Sequence, residues 1–330
     1  MVKPQAKLSD HQSVQHRRPT IADFWRKIQV GEDLTDPPFT ARIRAKATSG
    51  EIRNPMKQGL VYVGKTLAHA AAIVAFWAPL TAGAADIRIG GTGNALGTMR
   101  LLGEAFAQSH PESKPVILGS IGTSGALKAI PKGAIEIGLA SRPLSDDEIR
   151  GGLMAVEYAR CPTVFAVQSK SKVMDITLAQ VANIYSGKLT QWPDGSTIRP
   201  VMRQPNDDNT RQIKQLSPGI EKALLVADQR PGQTFAANDQ EAADKMESIP
   251  GSIGVTTVAL IQSEKRSLRP LSLDGIEPSP KNAQSGRYPM LKTFYFVLPK
   301  EPSAAVQEFV KFVRSAPGQR ILEQTGHTIR

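Results

Sequence analysis

A chain of 330 residues, 40% hydrophobic and 22% charged, is long enough for two domains or two lobes of one, and is neither a peptide nor a wholly disordered polymer. Its single cysteine, Cys161, excludes an internal disulfide framework and any multi-cysteine metal or iron–sulfur site. The net charge of +11 raises nucleic-acid binding, but residues 1–55 hold ten Lys/Arg against six Asp/Glu, while from residue 85 onward 29 basic residues face 24 acidic ones. With no run of adjacent Lys/Arg longer than two and no aromatic-plus-basic motif, nucleic acid is not expected as a partner.

Residues 1–55 are polar, and the short segment Ile21 to Val30 could form only an isolated helix with nothing to bury against. Met56-Lys57 then opens a basic stretch through Lys65, followed by an apolar run from Thr66 to Leu80 and by Ala82-Gly83-Ala84. That order is an export leader with a small-residue cleavage site, and its apolar run is shorter than the ~20 residues that span a bilayer. The expectation is a natural start at Met56, a leader over 56–84, and a non-native or disordered extension over 1–55. With no cysteine after the apolar run there is no lipid anchor, so the mature chain, from about Ala85, should be free in a periplasm.

From Asp86 short apolar strands alternate with amphipathic helices, which predicts an α/β fold with largely parallel strands. Ile87 to Ile89 is a strand, and Gly90-Gly91-Thr92-Gly93 turns it into a helix with Met99, Leu102 and Phe106 on one face. Val116 to Leu118 is a second strand, leading through Gly119 to Gly125 into another helix, and Ile135 to Ala140 is a third strand. Ser145-Asp146-Asp147-Glu148 reads as a capped helix start. Thr163 to Val167 is a strong strand, after which Gln168 to Lys172 reads as a crossing into a second lobe. Helices over Leu178 to Tyr185 and after Pro218-Gly219, and a strand over Ser252 to Thr257, follow. Ser263 to Arg287 reads as a surface excursion and Phe294 to Leu298 as the last strand. Pro302 opens a helix burying Val306, Phe309, Val310 and Val313, and Pro317-Gly318 starts a final helix stopped by Gly326.

Three turns at strand-to-helix junctions carry the chemistry: Gly91-Thr92-Gly93-Asn94-Ala95, Gly122-Thr123-Ser124-Gly125, and Asp207-Asp208-Asn209-Thr210 after Val201-Met202-Arg203. A helix N-terminus offers unpaired N–H groups and partial positive charge, Thr and Ser add hydroxyl donors, and Arg142 and Arg203 could supply formal charge. Together they point to a shared oxyanion pocket, although any one hydroxyl could simply cap its helix. Asp207 and Asp208 leave open a cationic or zwitterionic ligand, or a metal. The series Gly91-x-Gly93-x-x-x-Gly97 misses the dinucleotide fingerprint by one residue, which weighs against an oxidoreductase. Ser124 lacks the frame of a hydrolase nucleophile. His110 and His327, the only histidines of the mature chain, are expected at the surface, so no catalytic base is evident.

These residues resemble the periplasmic phosphate-binding family, the substrate-binding components of phosphate ABC importers with the two-lobed type II periplasmic binding fold. The likeness runs through the mature chain. It rests on Gly91-Thr92-Gly93, Gly122-Thr123-Ser124-Gly125-Ala126-Leu127-Lys128, Ile137-Gly138-Leu139-Ala140-Ser141, Ile184-Tyr185-Ser186-Gly187-Lys188-Leu189-Thr190-Gln191-Trp192, Pro250-Gly251-Ser252-Ile253-Gly254 and Pro317-Gly318-Gln319. The resemblance implies two α/β lobes, 85–165 with 290–330 and 166–289, joined by crossover strands around a ligand cleft. It implies a non-enzymatic, monomeric binding protein without cofactor or metal that delivers an oxyanion, phosphate first, to a membrane ABC permease. A molybdate- or sulfate-like anion, a small zwitterion, or a sensor role on the same fold is the alternative. The ligand residues so implied are Thr92, Gly93, Asn94, Thr123, Ser124, Ser141, Arg142, Arg203, Asn209 and Thr210. Three departures bear on the ligand: Ala95 replaces a hydroxyl, Ser141-Arg142 stands where the family carries an Asp that accepts the proton of hydrogen phosphate, and Asp207-Asp208 replaces a Gly-Ser-Gly-Thr loop. They imply weak discrimination between phosphate and sulfate unless Asp207 or Asp208 restores the acceptor.

Overall fold

A computed structural model describes residues 85–329; the expected leader and the segment before it lie outside the described residues. In chain order the elements are β1 (Ala85–Gly91), α1 (Gly93–Ser109), β2 (Ser113–Ile117), α2 (Gly122–Ala129), β3 (Ile137–Ala140), α3 (Asp146–Arg150) and β4 (Leu153–Gln168). There follow β5 (Asp175–Ile176), α4 (Leu178–Ser186), β6 (Arg199–Arg203), α5 (Asp208–Lys214), α6 (Pro218–Asp228), β7 (Thr234–Ala236), α7 (Asp239–Ser248) and β8 (Ser252–Thr257). The chain ends with α8 (Val258–Ser263), β9 (Leu268–Pro270), β10 (Ser272–Leu273), α9 (Pro280–Gln284), β11 (Leu291–Pro299), α10 (Ala304–Arg314) and α11 (Ala316–Gln324).

The main sheet runs β2-β1-β3-β11-β4-β8-β6-β7, with β9 also on β4. At one end β1 pairs in parallel with β2 and β3; at the other, β6 pairs in parallel with β7 and β8. β11 and β4 are the antiparallel members that join the two ends, which is the architecture of two α/β lobes linked by crossover strands. β4, about 50 Å long at strand rise, serves both. Leu153 to Pro162 pair with β11, and Thr163 to Val167 with β8. The exchange falls where Pro162 has no N–H to give a ladder. The expected crossing at Gln168 to Lys172 is therefore a turn, closed by Ser171 N–H on the Gln168 carbonyl, with the Gln168 side chain buried against Glu247 and Ile249 carbonyls at 2.7 and 3.2 Å.

Helical periodicity and burial agree closely. Met99, Leu102 and Phe106 of α1 are fully buried, and Phe106 meets Phe309 and Phe312 edge-on at 5.2 and 5.5 Å. Val306, Phe309, Val310 and Val313 of α10 close the same core. Ser145 and Glu148 form the reciprocal capping box that starts α3, and Gly187, at φ 79°, ends α4.

Two expectations are corrected. Ser263 to Arg287 is not a plain surface excursion, because it holds β9, β10 and α9 and buries Leu268, Leu271, Leu273 and Ala283. His327 is buried rather than at the surface: Thr328 and Arg160 exchange backbone hydrogen bonds at 2.7 and 2.9 Å, which draws His327 against Phe294 with ring centroids 5.6 Å apart.

Candidate functional site

The first loop is tied down before any ligand is considered. Gly91 has φ 155°, and a Cβ there would lie 2.1 Å from the Leu139 carbonyl oxygen, so only glycine allows β1 to run this close to β3. Thr92 N–H donates to the same carbonyl at 2.9 Å. This delivers the N-terminus of α1, with Thr92, Gly93 and Asn94 all buried, to the ends of the strands. This N-terminus is met from the opposite lobe through one N–H and one carbonyl. Asn94 N–H donates to Oδ2 of Asp239 at 3.1 Å, and Gln240 Nε2 donates to the Gly93 carbonyl at 2.9 Å. Asp239, the first residue of α7, is 6% exposed and also accepts from Asn209 Nδ2 at 3.1 Å. A carboxylate at a helix N-terminus is favoured by the aligned peptide dipoles.

The second loop behaves in the same way. Thr123, the second residue of α2, and Ser141, just past β3, turn their hydroxyls toward each other at 3.3 Å. Both donate to one oxygen, Oδ2 of Asp208, at 2.6 and 2.7 Å. Ser141 N–H donates to Thr123 Oγ1 at 3.2 Å. Ser124 stays outside this cluster with its side chain exposed.

The third loop is not an open helix end. Asp207 caps α5 by accepting from Asn209 N–H at 3.0 Å, and its other oxygen accepts from Arg203 Nη2 at 2.5 Å. Arg203, at the end of β6, also donates to the Ala236 carbonyl at 3.2 Å and stands 3.6 Å from Asp239. Asn209 and Thr210 are buried beside it. A void of about 10 Å³, room for a single water, lies among Tyr185, Val201, Met202, Ile213, Leu224 and Val255 and touches Arg203, Asn209 and Thr210. Arg142 is turned aside into a two-pronged ion pair with Glu148 at 2.8 and 2.9 Å, which holds the Glu148 carboxyl down at about 2.

The two cleft residues that sequence reasoning missed are Asp239 and Lys292. Burial pushes the Asp239 carboxyl above the usual carboxylate range, while Arg203 pulls it back. Lys292 is 3% exposed; burial lowers its ammonium, and the charges of Asp208, Asp207 and Asp239 oppose that shift. One signal for it was present. In β11 Lys292 shares the two-residue period of Phe294 and Phe296, the buried face of the strand. Cys161 is buried as well, and its thiol is pushed up to about 12, which makes it a poor nucleophile.

The donors of lobe 1 thus grip anionic oxygen, supplied here by two carboxylates of lobe 2. The family model described as the PBP superfamily domain matches residues 78–317. The chain belongs to the PBP superfamily. Within that superfamily it is similar to the phosphate-binding protein PstS of Borreliella burgdorferi, 26% identical over 215 residues that cover 63% of this chain and 75% of the relative. A solved structure described as a phosphate ABC transporter substrate-binding protein with bound phosphate, from Clostridium perfringens, shares 24% identity with a TM-score of 0.64 over 74% of this chain and 99% of that one. The periplasmic molybdate-binding protein of Azotobacter vinelandii shares 14% identity and a TM-score of 0.55 over the same share of this chain and 99% of its own. These likenesses establish the type II periplasmic binding fold for this PBP-superfamily chain. Gly97, the third glycine of the near-fingerprint, lies inside α1, where a Cβ would lie 2.3 Å from Ser263 Oγ.

Proposed function

We propose that this PBP-superfamily chain is a non-enzymatic, extracytoplasmic binding protein that captures a small tetrahedral oxyanion, phosphate before its relatives, and delivers it to a membrane ABC permease. The observation that carries the reading is the convergence of Thr123 Oγ1, Ser141 Oγ and Asn94 N–H on anionic oxygens at 2.6, 2.7 and 3.1 Å, all from lobe 1. Hydroxyl protons already donated outward and a helix N-terminus favour an anionic acceptor. Arg203 contributes charge from lobe 2, and Lys292 from the crossover strand β11. The names of the PstS relatives and of the phosphate-bound neighbour support phosphate.

The partner exchange of β4 near residue 163 supports lobes over 85–165 with 290–330 and over 166–289. Residues 56–84 are the cleaved leader, and the mature protein acts as a monomer free of the membrane; among the described residues no helix is long and apolar enough to cross one. Ligand binding then shifts the lobes toward the closed form through its greater affinity for that state. Because Ser141-Arg142 offers no carboxylate to a ligand proton, discrimination of phosphate from sulfate and molybdate is weak unless Asp207 or Asp208 takes over as acceptor, since specificity needs a repulsive element. Calorimetric titration of the purified full chain with phosphate, sulfate, molybdate and a neutral amino acid tests the reading. Saturable heat from phosphate is the expected result; heat from the amino acid alone would overturn it.

A further inference from the structure

Resting on the oxyanion reading, we propose that Asp208 is a built-in competitor of the ligand: its carboxylate reaches from lobe 2 into the donor set of lobe 1 and must be displaced before an oxyanion can bind. A hydroxyl carries a single O–H. Thr123 and Ser141 each spend theirs on Oδ2 of Asp208, at 2.6 and 2.7 Å. The Thr123 oxygen is further committed as acceptor of Ser141 N–H at 3.2 Å, which fixes the direction in which its proton points. An oxyanion oxygen and Asp208 Oδ2 therefore compete for the same two protons.

Electrostatics disfavours a shared arrangement. A doubly charged oxyanion beside a carboxylate in a half-buried site is repelled, and two of the cations around it are already engaged, Arg142 with Glu148 and Arg203 with Asp207, which leaves buried Lys292 to offset two anions at once. The displaced carboxylate has a destination. Its other oxygen lies 3.6 Å from Arg211 Nη1, on a side chain that is 49% exposed and can move, so Asp208 can rotate outward onto Arg211 while the hydroxyl protons pass to the ligand. Thr123 and Ser141 lie 85 and 67 residues from Asp208 along the chain, so the same bond latches the two lobes. Asp208 thus sets both the affinity for the oxyanion and the closure of the cleft in its absence.

The test compares wild type with Asp208→Asn and Asp208→Ala, after circular dichroism shows that each folds. Inorganic phosphate, sulfate and molybdate are titrated by calorimetry, and the ligand-free radius of gyration is measured by X-ray scattering. The apparent affinity of a site that is only partly free falls by its free fraction, so both variants should bind phosphate at least about tenfold more tightly than wild type, the alanine variant more so. The ligand-free alanine variant should also be more expanded than wild type. If wild type binds phosphate and the variants bind it equally or more weakly, the competitor role is overturned. Weaker phosphate binding with unchanged sulfate binding would show instead that Asp208 stays in the pocket as acceptor for the ligand proton, which also overturns displacement. If neither wild type nor variants bind any of the three anions, the oxyanion reading itself fails.

Discussion

His327 offers the sharpest quantitative check on the fold, because its cost can be worked from its surroundings. The ring is buried, Nδ1 lies 3.0 Å from Thr325 Oγ1 and 3.3 Å from the Leu322 carbonyl, and no hydrogen-bond partner among the described residues reaches Nε2. Burial disfavours the charged ring and lowers its pKa from 6.5 to about 4. The unfolded chain therefore takes up a proton near pH 6.5 that the folded chain refuses until about pH 4. The contribution is fully present above pH 6.5 and is lost as the pH falls toward 4. The full loss is about 3 kcal/mol, of which about 2 kcal/mol falls between pH 7.5 and pH 5.0. Urea unfolding of the full chain at those two pH values, repeated with His327→Gln, isolates the contribution of the ring. Glutamine can keep a donor toward the Leu322 carbonyl but cannot titrate, so the variant should be less sensitive to acid than wild type by about 2 kcal/mol. An identical pH dependence in the two proteins would refute the assignment and show that His327 takes up its proton in the folded protein as readily as in the unfolded chain.

Thr123→Val keeps the volume but removes one hydroxyl donor, and because the Asp208 carboxylate loses the same donor, phosphate affinity read by calorimetry should fall by less than the roughly 1.5 to 3 kcal/mol of a hydrogen bond to a charged group. Lys292→Met removes a buried cation that faces Asp207, Asp208 and Asp239; titrations should show every oxyanion weakened alike, with the ratio of phosphate to sulfate affinity unchanged, because a point charge carries no information about ligand protons. Phe106→Ala empties the site between α1 and α10 where Phe309 and Phe312 meet the ring, and thermal or urea unfolding should show a loss of about 3 to 5 kcal/mol while the phosphate affinity of the folded protein stays as in wild type.

Local signals determined the elements around the cleft. The period of Met99, Leu102 and Phe106, the cap at Ser145 to Glu148, the stop at Gly187, and the inward face of α10 each involve residues a few positions apart, and physical chemistry at that range is legible in one dimension. The glycine and hydroxyl loops were legible for the same reason, since a strand leading into a helix prepares an anion site wherever it occurs. The first half of β4 was hidden because Glu157 and Arg160, paired with each other at 2.6 Å, interrupt its apolar pattern, and only pairing with β11 makes it a strand.

What occupies the donors could be decided only in three dimensions. Asp208 meets Thr123 across 85 residues and Asp239 meets Asn94 across 145, and nothing in the local sequence distinguishes an acid that points to solvent from one that crosses a cleft. Arg142 and Arg203 stood out as cations, yet their charge is spoken for by Glu148 and Asp207, partners chosen by packing. Lys292 shows both sides of the division. Its parity in β11 placed it on the buried face, but that this face looks toward three carboxylates follows from the way β6, α5 and α7 fold around it, since the charge of a buried group acquires meaning only from what the tertiary structure sets beside it.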